Sequence, residues 1–199
     1  MSEPEPAVGE DFAEAVLIHQ EWDGREFEHC DFTGADLTGL RAANCVFTEC
    51  TFARADLADA RLRATAFRSC TFDRTLLRES TWDGCSLLGS SFVACKLRPC
   101  TLRETDFTLA GMGGADLRGL DLRGLRFREA NLSDADLRRC DLRETDFTSS
   151  RLLGAKLDDA DLRGSRLDAN QLVQSSLSGA RVDMETALAY AAANGLRVD

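Results

Sequence analysis

Large apolar residues recur at every fifth position of this chain from Trp22 to Val182, with no insertion or deletion. The series begins Trp22, Phe27, Phe32, Leu37, Ala42, Phe47, Phe52 and runs through 33 positions, of which Ala42 alone is small. All 11 Phe and both Trp lie on this register, Phe12 by extension of it. A second register, two residues earlier, holds small side chains such as Cys30, Ala35, Cys45, Cys50, Ala55 and Thr65, onward to Ala180. In extended backbone, residues two apart point the same way, so the large centre and the small residue before it share one interior. The other three positions collect Asp, Arg, Glu, Thr and Gly and face outward. Eleven of the 15 Gly stand two residues after a centre, where a tight corner calls for unusual dihedrals. Each unit is therefore a short extended side followed by a turn.

The number of sides per coil follows from what stacks on what. At a spacing of 20, the column Leu37, Leu57, Leu77, Leu97, Leu117, Leu137, Leu157, Leu177 is Leu throughout. The column from Phe27 to Leu167 is Phe in six of its eight places. Like stacks on like, so the coil has four sides and the fold class is an all-β solenoid. About eight coils at ~4.8 Å each predict a rod ~40 Å long and somewhat over ~20 Å across. Ala42 is compensated by Leu40 in the small register, a volume-conserving exchange of the kind cores tolerate. Leu120 and Leu125 have no such compensation, and a locally widened coil is expected there, near Gly111–Gly114.

The pattern divides the chain into an acidic N-terminal tail and cap (1–21), the repeat (22–182) and a C-terminal capping and dimerisation helix (183–199). Residues 1–9 read as a disordered tail; residues 10–21 fit either a short helix or an irregular first coil. After Val182, DMETALAYAAAN predicts a helix with Asp183 as N-cap and Gly195 just past its end. Its apolar residues Leu188 and Tyr190, with Leu196, would cover the last coil or meet a second copy. A two-fold dimer is the commonest closed assembly.

Composition narrows function by exclusion. The 34 acidic and 24 basic residues give a formal charge of −10, which argues against direct binding to nucleic acid or anionic lipid. Residues 1–30 contribute −8 of it. No apolar run approaches the roughly 18 residues of a membrane span, and the N-terminus lacks a secretory pattern, so a cytoplasmic location is expected. All eight Cys lie on the small inward register without a CxxC, which reads as packing, with no metal or disulfide expected. With two His and one Tyr, the chain offers no nucleophile–base–acid set. No enzyme activity and no cofactor are expected.

The outward charges admit two readings. Asp36, Asp56, Asp116 and Asp136 line one side, and Asp121, Asp141 and Asp161 another, with Arg103, Arg123, Arg143 and Arg163 stacked beside them. They form either a solvated surface of weak ion pairs or an acidic face that a basic groove grips.

The units CDFTG, ADLTG, ADLRG, LDLRG, ANLSD and ADLRR resemble the A(D/N)LXX pattern of the pentapeptide repeat family. The segments SSFVACKLRPCTLRETDFTLAGMGGADLRGLDLRG, KLDDADLRG and ARVDMETALAYAAANGL are similar to its MfpA-type, Qnr-related fluoroquinolone-resistance group. That resemblance covers about residues 22–196. It implies a right-handed quadrilateral β-helix with a C-terminal α-helix, dimerising through its C-terminal end. It also implies binding to DNA gyrase as a mimic of duplex DNA, modulating or inhibiting the enzyme and lowering fluoroquinolone susceptibility. Qnr proteins carry loops inserted in their coils; the unbroken register leaves this chain without them. The other reading within the family is a scaffold or immunity protein whose partner is not a topoisomerase.

Overall fold

The computed structural model describes residues 5–197. The chain winds as a right-handed four-sided β-solenoid with a twenty-residue pitch. Every ladder is parallel. Ala7 pairs with Phe27, Phe27 with Phe47 and Phe47 with Phe67 on one side; Glu21, Arg41, Arg61, Thr81 and Thr101 follow one another on the next. Strands are only about three residues long because each five-residue unit must also turn a corner.

The unit's chemistry follows from its hydrogen bonds. The centre's carbonyl accepts from the N–H three residues on, as Phe32 does from Ala35 and Leu37 from Leu40, both at 3.0 Å. The residue two after the centre then adopts a positive φ, whether Gly (Gly39, +68°) or not (Arg139, +60°). A non-glycine residue there costs roughly 1 kcal/mol, which accounts for glycine's concentration at the corners. The Asp before the centre accepts from the N–H two residues on, as Asp36 does from Thr38 at 3.1 Å and Asp56 from Ala58 at 2.8 Å. This is the side-chain turn that favours Asp and Asn at that position.

The interior is a stack of identical side chains. Phe27, Phe47 and Phe67 lie face to face at 4.8 Å per step, within 5° of parallel. Phe12, Phe32, Phe52, Phe72 and Phe92 form a second stack at 4.8–5.1 Å. The two stacks meet edge to face, as Phe32 and Phe47 do at 6.0 Å, the geometry that ring quadrupoles favour. Leu40 and Ala42 are both buried, in keeping with their exchanged volumes.

The structure corrects the reading of both ends. Residues 7–21, expected as tail and cap, are regular coil: Ala7–Val8 forms a strand, Asp11 and Val16 bridge to Asp31 and Asp36, and Phe12 stacks on Phe32. Their centres, Ala7, Phe12 and Leu17, continue the register but are only half-buried. Of the tail expected over 1–9, residues 1–4 lie outside the described residues. Near the other end a short helix, α1 (Ala169–Val173), replaces one side of the coil. Asp168 caps it, and Gln171 turns inward to donate to the Phe147 and Ser150 carbonyls at 2.8 Å. The C-terminal helix, α2 (Met184–Ala193), has Asp183 as N-cap residue, with Gly195 past its end at φ +82°. The Asp183 side chain makes no cap bond; it accepts from the Gly164 N–H at 2.5 Å.

Beside Gly111–Gly114, where the sequence leads one to expect a widened coil, Leu120 and Leu125 are buried and the irregularity is instead a seam between two coils. The strand Thr101–Arg103 ends its five-stranded sheet, and Lys96 and Thr101 form no bridge to Asp116 and Asp121. On the two other sides the ladder runs through, by way of Ser91–Gly111, Ser86–Asp106 and Asp106–Arg126. Pro99 supplies part of the cause. It occupies the corner position at which Gly39, Asp59 and Gly119 donate an N–H to the next coil, and proline has none to give.

Candidate partner-binding surface

Charge is distributed along the rod very unevenly. Residues 5–60 carry thirteen acids and three bases, whereas residues 61–197 carry 19 acids and 21 bases. The exposed Glu21, Asp23, Glu26 and Glu28 crowd one coil, with Asp31 and Asp36 following. Nearby bases neutralise little of this; Arg41 reaches Glu21 at 3.3 Å, and Arg25 is spread over the Trp22 and Phe27 rings.

The seven aspartates expected as an acidic face fall on two adjacent sides and differ in kind. Asp36 and Asp56 stack on each other, bonded to backbone N–H groups of their own turns. Asp116, Asp121, Asp136, Asp141 and Asp161 are each held by the arginine two residues on. In Asp116–Arg118 the guanidinium Nε and Nη2 donate to the two carboxylate oxygens at 2.8 and 2.7 Å. The same fork joins Asp121–Arg123, Asp136–Arg138, Asp141–Arg143 and Asp161–Arg163 at 2.5–2.9 Å. Arg118 and Arg123 also reach the next coil, to Asp136 at 3.7 Å and Asp141 at 3.5 Å. These guanidinium hydrogen bonds hold the carboxylates below their ordinary range, Asp161 down to about 2. This half of the rod is a lattice of alternating sign.

Density of uncompensated acid therefore sits at the N-terminal end. The site residues read from the repeat omitted Glu21 and Glu26, both exposed at this end. The −8 charge of residues 1–30 was the signal that pointed to them.

The opposite end presents apolar surface. No residue of α2 is buried; Leu188, Tyr190 and the following Leu196 are 43%, 37% and 64% exposed, and Met184 is 77% exposed. A small apolar cleft lies between α2 and the last coil, lined by Leu172, Leu177, Val182, Ala187 and Tyr190.

All eight cysteines are free thiols, and six are buried. Six of the eight donate through Sγ to a carbonyl of the coil before, as Cys140 does to Leu117 at 3.0 Å and Cys95 to Phe72 at 2.9 Å. Burial pushes Cys85, Cys95 and Cys140 up to about 11 and Cys100 to about 12. Among the described residues no cluster of His, Cys, Asp and Glu has the arrangement of a metal site, and no helix is long and apolar enough to cross a membrane.

Comparison with known proteins matches these features. The chain is 52% identical over 95 residues to the pentapeptide repeat protein MfpA of Mycobacterium tuberculosis; the match covers 48% of this chain and 52% of that protein. The chain thus spans about half the length of the curated relative it matches. A trypsin-treated variant of QnrB1, a plasmid-mediated fluoroquinolone resistance protein, shares its fold with a TM-score of 0.84 at 24% identity, over 98% of this chain and 97% of that one. Full-length QnrB1 superposes with a TM-score of 0.75 at 20% identity, over 96% and 97%. The family models for pentapeptide repeats match residues 85–124, 110–148, 126–164 and 146–182, and the one for a pentapeptide repeat region matches 20–89. With the repeat matched from residue 20 to 182 and the coil built on it, the chain belongs to the pentapeptide repeat family.

Proposed function

We propose that this protein binds DNA gyrase as a mimic of duplex DNA, modulates or inhibits the enzyme, and so lowers susceptibility to fluoroquinolones. It acts by binding rather than by catalysis, in the cytoplasm, as a homodimer joined through α2, and it needs no cofactor. The similarity to MfpA, strong over 95 residues, directs the reading to this group. The charge at the N-terminal end carries it physically. Duplex DNA holds about one charge per 1.7 Å, or roughly eight in ~14 Å. The coils of residues 5–60 occupy a similar length, about three steps of ~4.8 Å, and their thirteen acids and three bases leave a net −10. A rod of near-duplex width thus ends in near-duplex charge density, and pairing two rods through α2 puts such an end at each extremity.

The neutral Asp–Arg lattice over the C-terminal half favours a second reading, a scaffold or immunity protein for a partner other than a topoisomerase. Gyrase supercoiling with increasing protein, with and without a fluoroquinolone, separates the two. The companion protein carries Leu188→Ala and Tyr190→Ala. Inhibition or drug protection that weakens in the companion supports the dimeric mimic. Full supercoiling and unchanged drug poisoning at saturating protein would leave the second reading.

A further inference from the structure

We infer that the rod is two rigid blocks joined by a hinge, which opens at the seam between the coil of Lys96–Glu104 and the coil of Ala115–Gly124. In the next coil these same two sides are tied by backbone hydrogen bonds: Asp136 and Asp141 donate to Ala115 and Leu120, and Leu117 and Leu122 to Asp136 and Asp141, at 2.9–3.1 Å. Across the seam the equivalent bonds, from Leu97, Leu102 and Glu104 forward and from Asp116 and Asp121 back, are absent. The polar link that spans it on these sides is Arg98, whose Nη1 lies 3.4 Å from both carboxylate oxygens of Asp116.

Burial reports the same discontinuity. Cys95, Cys100 and Ala115 are half-buried, whereas their stacked neighbours Thr75, Ser80 and Ala135 are fully buried. The hinge line is the continuous part of the ladder. There Phe92 donates to Gly111 and Leu87 to Asp106, both at 2.7 Å, and Gly89 to Thr108 at 3.0 Å. Gly111, Gly113 and Gly114 lie along that line, where the absence of a side chain lets the backbone absorb small rotations. Parallel coils stack as nearest-neighbour units, so losing the bonds on two of four sides weakens one interface without disturbing the rest. A rod able to bend there can follow a curved partner surface, whichever partner it meets.

Hydrogen exchange on the intact protein tests this, independently of any gyrase assay. The amides of Leu102, Asp116 and Asp121 are expected to exchange about a hundredfold faster than those of Leu122, Asp136 and Asp141. Equal exchange in the two sets overturns the hinge. A second protein carries Lys96→Cys and Asp116→Cys, equivalent positions one coil apart, where regular stacking gives a separation suited to a disulfide. Diamide takes two electrons and two protons from the paired thiols and closes the bond. The closed form is expected to slow exchange at Leu102 and Asp121 at least tenfold. Failure of the bond to form, or fast exchange persisting after it forms, shows local fraying around Pro99 and sinks the hinge.

Discussion

Asp121 and Arg123, two residues apart on one side of the coil, form a two-point ion pair, Nε to Oδ1 at 2.8 Å and Nη2 to Oδ2 at 2.6 Å. Repeated at Asp116, Asp136, Asp141 and Asp161, the pairing turns a row of aspartates into a neutral lattice. Asp36 and Asp56, at the same position of their units, are followed by Thr38 and Ala58 instead and keep their charge. A partner that reads negative charge therefore meets two kinds of aspartate. In Asp36→Asn with Asp56→Asn the amide still accepts the turn hydrogen bond, so the coil is preserved while two charges are lost. Half-inhibition of gyrase should then need about tenfold more protein, at ~0.7 kcal/mol per partly exposed carboxylate. Asp121→Asn with Asp141→Asn changes net charge equally and should alter inhibition less than threefold. Equal effects of the two pairs would mean that total charge, not the acidic end, governs binding.

The aromatic stack makes a prediction about stability. Phe47 is fully buried between Phe27 and Phe67, so Phe47→Ala leaves a cavity and should cost about 3–5 kcal/mol in chemical denaturation. Phe47→Leu should cost less, about 1–1.5 kcal/mol, because this column already alternates: Leu87 stands between Phe67 and Phe107. A loss from Phe47→Leu as large as from Phe47→Ala would show that stacked rings, rather than filled volume, hold the coil.

Much of this was legible in the sequence, for a physical reason. A twenty-residue coil places each centre on its own kind, so Phe27, Phe47 and Phe67 announce both the register and the number of sides. Leu120 and Leu125, too large for the small register, marked the neighbourhood of the seam. Its site was set by Pro99, whose missing N–H matters only once the corner positions of successive coils are known to bond. The α1 helix was hidden because Leu167 and Leu172 keep the five-residue spacing; Asp168 and Gln171, three residues apart, form the capping box that was the signal able to reveal it. The two readings of the outward charges stayed open because counting aspartates could not tell whether the arginine two residues on points along the coil or forks back. That is decided by side-chain hydrogen bonding, which periodicity does not encode.

The forked pairs also set a pH dependence. A carboxylate whose folded value is depressed stabilises the fold above its ordinary value and loses that contribution as pH falls through the folded one. For Asp161, held down to about 2 first by the Arg163 hydrogen bond, the window runs from about 4 down to about 2. The thermal midpoint should therefore fall with acid over that range, and modestly, since the arginines are solvent-exposed. In Asp161→Asn the midpoint should be lower at pH 6 and its fall between pH 4 and 2 shallower. An unchanged acid limb in that variant would show that Asp161 contributes nothing to it.

The thiols separate packing from chemistry. A reactive cysteine has a depressed value and solvent access, whereas burial raises Cys85 and Cys140 to about 11. At pH 8 their thiolate fraction is about one in a thousand. An aromatic disulfide reagent should therefore label all eight thiols promptly in denaturant and react orders of magnitude more slowly in the native protein. Among native reactions, Cys95 and Cys100 should come first. They border the seam and are only half-buried, and opening there exposes them without unfolding either block. Peptide mapping after partial labelling checks the order. Early modification of Cys45 or Cys70 instead would place the weakest part of the rod in its first coils, where the backbone ladder is complete.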